Sequence, residues 1–84
     1  MKYRLTDETI KVGKVNLQRI ECIEAFADVK VGDKGGWIEK ESNLSQTGNA
    51  WVYGDAQVFG DAQVFGDAQV YDFASNFGTR FYQF

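Results

Sequence analysis

The chain has 84 residues, with 12 acidic side chains against 9 basic ones, one cysteine and no histidine. This length suits a single domain, the lone Cys22 excludes an internal disulfide, and the lack of a His/Cys cluster argues against a metal site. No stretch is apolar and long enough for a signal core or a membrane span, so we expect a cytoplasmic protein without a membrane partner.

Charge and aromatic residues are unevenly distributed. Residues 1–45 carry eight basic and eight acidic side chains, whereas residues 46–84 carry one basic and four acidic side chains, and ten of the 13 aromatic residues. Binding to nucleic acid requires a basic footprint. The C-terminal half has none, so we expect no nucleic-acid partner.

The N-terminal segment predicts a small β cap. Residues 10–17 alternate with period two about Gly13 and Lys14, which is typical of a hairpin, and strand character continues to residue 23. Residues 27–36 are a turn-rich connector. We interpret Gly32, Gly35 and Gly36 as turn residues, because no phosphate-loop order surrounds them.

A six-residue repeat, Gly-Asp-Ala-Gln-Val-(Phe/Tyr), runs three times without a break over residues 54–71. The pattern extends upstream, with Ile38 and Leu44 in the valine position and Ser42 in the alanine position. Leu44 and Val52 are eight residues apart instead of six, which predicts a two-residue insertion that bulges at a corner near Gln46. The repeated valines are Val52, Val58, Val64 and Val70, and the repeated alanines are Ala56, Ala62, Ala68 and Ala74.

This pattern resembles the hexapeptide-repeat, left-handed parallel β-helix family over residues 38–74. In that family three hexads close one triangular coil. The resemblance implies that Val52 stacks against Val70, Ile38 against Val58, and Leu44 against Val64. We therefore expect an all-β fold: a short left-handed parallel β-helix of about two triangular coils with an N-terminal β-hairpin cap. The single domain, 1–84, would comprise a cap (1–36), the β-helix (37–75) and a C-terminal aromatic strand or cap (76–84).

Each position of the hexad has a physical role in such a coil. The valine and alanine would fill a narrow interior. Gly-Asp would form the corners, because glycine reaches positive φ and aspartate bonds nearby backbone. The spacing puts successive aspartates on different corners, which makes them turn residues rather than metal ligands or acid/base groups. They are Asp55, Asp61, Asp67 and Asp72.

The cap carries its own resemblance. Residues 2–6, 26–33, 35–39 and 43–45 (KYRLT, FADVKVGD, GGWIE and NLS) look like the opening segment of bacterial and phage hexapeptide-repeat proteins, many of which sit in prophages. This implies a phage-type protein acting in the bacterial host cytoplasm. Acyltransferases of the family use a histidine base, which this sequence lacks, so we expect no enzyme activity, no catalytic residue and no cofactor.

The outward aromatic side chains either lie along the wall, shielded by neighbouring coils or by the C-terminal segment, or form an exposed surface for a protein contact, and they are the candidate protein-binding residues. Each aromatic that follows an inward valine should alternate away from the core, while Trp37 and Trp51 precede inward residues and are interpreted as structural. Residues 76–84 leave the hexad pattern and would cover the last coil or pair with a second chain. The candidates are Tyr53, Phe59, Phe65, Tyr71, Phe77, Phe81 and Phe84.

These features favour a non-catalytic protein-binding module, for example an inhibitor of a host defence complex. The alternative is a structural self-assembly module that forms a dimer through the edge of its last coil. A degenerate hexapeptide acyltransferase is the remote alternative. The expected partners are a host protein and a second copy of the chain.

Overall fold

The computed structural model describes residues 1–71 and the backbone of residues 81–82, and this part of the chain is mostly β-structure. It contains no α-helix, one 3₁₀ turn at Glu41–Asn43, and no helix that could cross a bilayer. The all-β fold class is confirmed at this level. The strands are β1 (Tyr3–Val12), β2 (Val15–Cys22), β3 (Lys34–Ile38), β4 (Trp51–Val52), β5 (Gln57–Val58), β6 (Gln63–Val64), β7 (Gln69–Val70) and β8 (Phe81–Tyr82).

The predicted hairpin is confirmed. Strands β1 and β2 pair antiparallel, with Val12 opposite Val15, so that Gly13 and Lys14 form a two-residue turn. Gly13 has φ of +60° and Lys14 does not have positive φ. A single positive φ at the first turn position suits a hairpin whose strands twist in the right-handed sense, and glycine is the residue that adopts it without strain.

Strand β3 joins the hairpin to the repeats. It pairs antiparallel with β2 on one side and parallel with β5 on the other, which gives a four-stranded sheet in the order β1-β2-β3-β5. The predicted connector therefore ends as a strand. Gly35 and Gly36, interpreted above as turn residues, lie inside β3, and that prediction was wrong for both.

The two glycines are needed for close packing. A Cβ added at Gly35 would lie 2.6 Å from the carbonyl oxygen of Val52, and one at Gly36 would lie 2.5 Å from that of Ala56. Both separations are well inside van der Waals contact, so β3 can approach the repeats only where it has no side chains. The sequence pattern does not distinguish a packing glycine from a turn glycine.

The repeats form two layers joined by parallel pairs. Ile38, Leu44 and Val52 define the first layer, and Val58, Val64 and Val70 define the second. The structure pairs Ile38 with Val58, Leu44 with Val64 and Val52 with Val70, all in parallel. The predicted register is therefore confirmed at all three positions, including the two-residue offset that the insertion introduces.

The interior is made of the two repeated apolar residue types. Valine and alanine positions are almost completely buried, whereas Asp55, Asp61 and Asp67 are exposed at the corners. The corner glycines Gly54 and Gly60 have φ of +58° and +65°. The alternation of inward apolar and outward polar residues thus follows from the hexad. The buried members are Ile38, Leu44, Ala50, Val52, Ala56, Val58, Ala62, Val64, Ala68 and Val70.

The first-layer corner at the 3₁₀ turn departs from the hexad. Ser42, predicted to point inward as the small residue, is exposed, and its neighbour Asn43 is completely buried. The turn at Glu41–Asn43 shifts the inward position by one residue. The prediction for Ser42 was therefore wrong, because a helical turn replaces the extended backbone that the period assumes.

The backbone of β8 continues the repeat spacing. Strand β8 pairs in parallel with β6, and Tyr82 lies opposite Val64, 18 positions earlier. The sequence pattern predicted that residues 76–84 leave the register, but residues 81 and 82 keep it. Strand β8 thus lies beside β6, and the predicted role of residues 76–84, to cover the last coil or to pair with a second chain, stays a prediction. Phe77, Phe84 and the side chain of Phe81 lie outside the described residues.

Candidate functional site

The junction between the cap and the first layer holds a buried lysine. The side-chain nitrogen of Lys2 donates hydrogen bonds to the carbonyl oxygens of Ala50 at 2.7 Å, Gly48 at 3.2 Å and Thr47 at 3.4 Å. The same nitrogen lies 4.5 Å from the centre of the Phe26 ring. Burial lowers the pKa of Lys2 from 10.5 to about 8, while the nearby Cys22 acts in the opposite direction. The charge of the ammonium group is thus stabilised by the dipoles of three carbonyl groups and by the face of the Phe26 ring.

The two-residue insertion fastens the start of β1. The side-chain oxygen of Gln46 accepts hydrogen bonds from the backbone nitrogens of Lys2 at 2.9 Å and Tyr3 at 3.2 Å. The Tyr3 hydroxyl donates to the carbonyl oxygen of Leu44 at 2.6 Å, and the Tyr3 ring meets Trp51 edge to face at 6.3 Å. Burial raises the pKa of Tyr3 above its usual range. The residues of the insertion predicted near Gln46 therefore bind the cap through hydrogen bonds.

Asn43 links the two layers. Its side-chain nitrogen donates to the carbonyl oxygens of Ala62 at 2.8 Å and Gly60 at 3.2 Å, and its oxygen accepts from the backbone nitrogens of Lys40 and Glu39. All four hydrogen-bonding positions of the amide are used. Because the side chain is fully buried, loss of this network would leave several backbone groups unsatisfied.

Arg19 of β2 crosses from the cap to a second-layer corner. Its guanidinium lies 4.3 Å from the centre of the Trp37 ring and donates to the carbonyl oxygen of Gly35 and to the carboxylate of Asp55, both at 2.9 Å. Glu8 lies beside the same guanidinium, and a hydrogen bond from Lys34 lowers the pKa of Glu8. The interpretation of Trp37 and Trp51 as structural residues agrees with these contacts.

The outward aromatic residues lie on different strand pairs. Tyr53 and Tyr71 occupy the same position in adjacent layers and stack with their ring centres 4.7 Å apart and their planes 14° from parallel. The Tyr53 hydroxyl donates to Asp28 at 3.4 Å, and burial, followed by the Asp28 charge, raises the pKa of Tyr53 to about 12. Phe59 and Phe65 follow β5 and β6 instead, and both are half-buried. Their predicted role in protein binding stays a prediction.

Two shallow grooves adjoin along β6. The larger has a volume of about 280 Å³ and the smaller about 220 Å³, and they share Ser42 and Gln63. The larger groove combines apolar and polar walls, which is typical of sites that orient a ligand with few polar groups. It is lined by Glu41, Ser42, Leu44, Ser45, Gln46, Gln63, Val64 and Phe65.

The outer edges of the strand system differ in protection. Strand β1 carries a bulge between Leu5 and Thr9 and exposed charges such as Arg4 and Lys11, which are devices that discourage edge pairing. Strand β6 lies between Leu44 and β8, whereas the second-layer strands β5 and β7 each have a strand partner on one side only among the described residues. Neither β5 nor β7 carries a charge.

The direction of the backbone groups on β7 follows from the pairing. The Trp51 nitrogen donates to the Ala68 carbonyl oxygen, so it points from the first layer towards the second. Gln69 is the second-layer partner of Trp51. Because paired residues in a parallel ladder share their orientation, the Gln69 N–H points away from the first layer, towards the position of a further strand.

The described residues bring together no group of three or more His, Cys, Asp or Glu side chains that could hold a metal ion. Asp55 contacts Arg19, and the Asp67 carboxylate accepts a hydrogen bond from Asn49 at 3.3 Å. These contacts fit the predicted role of Asp55 and Asp67 as corner residues, and Asp72 lies outside the described residues. The arrangement holds a cap against the first layer and presents strand edges and two grooves along β6.

Sequence reasoning missed the roles of Lys2 and Gln46, which join the cap to the first layer, and of Asn43, which joins the two layers. The available signal was the eight-residue spacing between Leu44 and Val52, since an insertion into a strict repeat needs a partner for its backbone. The spacing locates the bulge but does not identify the lysine that enters it from 45 to 48 positions away.

Comparison with known proteins found one distant likeness. No family model matches the chain. The Escherichia coli K12 protein named "Uncharacterized acetyltransferase YdcK" is 40% identical over 60 residues, a match that covers 62% of this chain. It covers 18% of the E. coli protein, so the chain spans less than a fifth of that relative's length. The predicted resemblance is supported to the extent of this distant similarity to an acetyltransferase.

Proposed function

We propose that this chain is a capping and templating module of a left-handed parallel β-helix. Its cap closes one end of the repeats, and at the other end the edge of β7, which has no second strand partner among the described residues, accepts a further strand. The observation that carries the proposal is the difference in pairing between the two ends: β1 is bulged and charged, while β7 is uncharged and has one described neighbour.

The coil itself is supported by the pairing register. The chain passes the β3, Leu44 and β4 positions in order and then repeats the passage at β5, β6 and β7, each directly beside its predecessor. This order is the one that two successive turns of a triangular coil require. The left-handed sense of the coil is taken from the family resemblance.

For the 84-residue chain, we propose that the strand added to β7 comes from a second copy. An uncovered edge without charge favours pairing with another chain, and a closed dimer satisfies two such edges at once. This is the self-assembly function, with the interface centred on Gln69 and Val70.

Light scattering over a range of concentrations tests this proposal. We expect a dimer at high micromolar concentration. Gln69→Pro removes the outward N–H and should give a monomer, because proline cannot donate to a ladder. Gln69→Ala keeps the N–H and should still dimerise. Circular dichroism checks that both variants are folded. A wild-type chain that stays monomeric, or a Gln69→Pro variant that dimerises normally, contradicts the proposal.

Acyl transfer is the second candidate, and the likeness to the E. coli acetyltransferase is what favours it. In that case these residues would supply the cap and first layers of a longer enzyme. Calorimetric titration with acetyl-CoA separates the two candidates. The templating proposal expects no saturable heat from the 84-residue chain, whereas saturable binding would favour a direct part in acyl transfer.

A further inference from the structure

The side chains at the three outward positions that follow Ile38, Leu44 and Val52 differ in size. Glu39, Ser45 and Tyr53 each donate a backbone hydrogen bond to the second-layer residue above, at 3.1, 2.9 and 2.7 Å respectively. They are therefore equivalent positions. Each lies beneath an aromatic residue of the second layer, namely Phe59, Phe65 and Tyr71 in the same order.

Only one of these positions places a ring beneath a ring. Tyr53 fills the space beneath Tyr71, with ring centres 4.7 Å apart. Glu39 turns to accept a hydrogen bond from the Gly60 nitrogen at 2.8 Å. Ser45 is too small to reach Phe65, and its hydroxyl accepts a hydrogen bond from the Thr47 nitrogen instead.

The space left beneath Phe65 is the larger groove. Its volume of about 280 Å³ exceeds the roughly 150 Å³ of an apolar cavity that accepts benzene. One wall is the half-buried Phe65 ring, and the rim offers the carboxylate of Glu41 and the amide of Gln63. Both rim side chains belong to exposed residues, so they are accessible to a ligand.

We propose that this groove binds a planar aromatic ring that stacks on Phe65 in the place that Tyr53 takes beneath Tyr71. Aromatic pairs favour such stacked contact beyond the area they bury. A ring with an N–H or O–H group on its edge fits best, because Glu41 and Gln63 offer acceptor oxygens. The ring belongs either to a free small molecule or to an aromatic side chain of a partner protein.

Indole is the first probe, and its binding is monitored in an NMR titration through the backbone amide chemical shifts of Ser45, Gln63 and Phe65. We expect saturable shifts at these residues and none at Tyr53. Phenol and cyclohexanol form a matched pair of the same heavy-atom count, each with a hydroxyl group, and only phenol has a planar ring. Cyclohexanol should bind at least about tenfold more weakly than phenol, as expected when stacking contributes about 1.4 kcal/mol. Equal binding of phenol and cyclohexanol, or no saturable indole shift, overturns the proposal.

A filling variant gives the matched test. Ser45→Tyr supplies the missing ring beneath Phe65 and should abolish indole binding while the chain stays folded. Ser45→Ala leaves the groove open and should bind indole as the wild type does. If Ser45→Tyr does not fold, Phe65→Leu removes the ring face and should weaken indole binding about tenfold. Undiminished binding by both variants overturns the proposal.

A short peptide with one tryptophan between glycine and serine residues distinguishes the two sources of the ring. Binding at least tenfold tighter than that of indole indicates a protein partner, because the residues that flank the tryptophan then add contacts around the rim of the groove. Equal affinity indicates a free small molecule. The outcome is independent of the dimer test, since Gln69→Pro should bind indole normally.

Discussion

The two ends of the repeats are stabilised in different ways. In the cap and the first layer, single non-repeated side chains make dense polar contacts: Lys2 of the cap reaches three carbonyl oxygens, and Asn43 of the first layer bonds four backbone groups. In the second layer the same valine and alanine positions repeat, and the corner residue Asp61 is exposed. The cap and the first layer therefore depend on individual residues, whereas the second layer supplies mainly its periodic pattern. Substitutions should reveal this difference.

Asn43→Ala should have the largest effect on stability. The variant removes the donor that bonds the carbonyl oxygens of Ala62 and Gly60, and it removes the acceptor that bonds the backbone N–H groups of residues 39 and 40. We expect the free energy of unfolding to fall by about 3 kcal/mol. Urea unfolding measures it, with the exposed Ser42→Ala as control, expected within about 0.5 kcal/mol of the wild type. Equal effects of the two would refute the role of Asn43.

Gly36→Ala should follow in size. The added methyl group would lie 2.5 Å from the Ala56 carbonyl oxygen, so β3 must move away from the layers. We expect a loss of about 2–3 kcal/mol from overpacking. Gly32→Ala meets no atom within 4 Å but has φ of +93°, and should cost only about 1 kcal/mol. The reverse order would show that β3 is not packed closely against the layers.

The Lys2 site predicts a pH dependence. Its folded-state pKa of about 8 lies below the ordinary 10.5, so the unfolded chain binds more protons between these values. Stability should therefore rise from about pH 8, by at most about 1.4 kcal/mol per pH unit. The groups facing the amine are three carbonyl oxygens, the Phe26 ring and Cys22.

The rise should end near pH 10. The pKa values of Tyr3 and Tyr53 are raised on folding, so the unfolded chain loses these protons first and stability falls as they ionise. Urea unfolding from pH 7 to 11 measures both trends. Lys2→Met should remove the rise and keep the fall. A rise that persists in Lys2→Met would assign it to another group.

Asp61→Ala should have the smallest effect. Asp61 is an exposed corner residue of the second layer, and we expect a change within about 0.5 kcal/mol. Thermal unfolding of the variant beside the wild type is sufficient. A loss comparable to that of Asn43→Ala would show that the second layer also depends on individual polar side chains.

The parts of the fold that follow from periodicity could be predicted from sequence. The hexad places its four valines and the alanines at positions 56, 62 and 68 in the interior, while Ala74 lies outside the described residues. The eight-residue spacing places Val52 against Val70 and Ile38 against Val58. Ser42 and Asn43 could not be placed, because a 3₁₀ turn replaces extended backbone there. Lys2 could not be assigned either, since its partners are backbone carbonyls that no residue type identifies.

The candidate sites were predictable in part for the same reason. Alternation predicted that Tyr53, Phe59, Phe65 and Tyr71 face outward, but not that Tyr53 and Tyr71 stack while Phe65 lies over a groove. That difference depends on the small side chain of Ser45, which stands at a position where the hexad pattern does not restrict the residue type.

Amide hydrogen exchange of Gln69 tests the central claim most directly. The Trp51 N–H lies between the layers and should be protected at every concentration, because it donates to the Ala68 carbonyl. The Gln69 N–H should exchange quickly in dilute solution and become protected when the chain self-associates. A Gln69 amide that is as protected as Trp51 in a dilute monomer, or unprotected in a dimer, would contradict the account of an uncovered edge that accepts a strand.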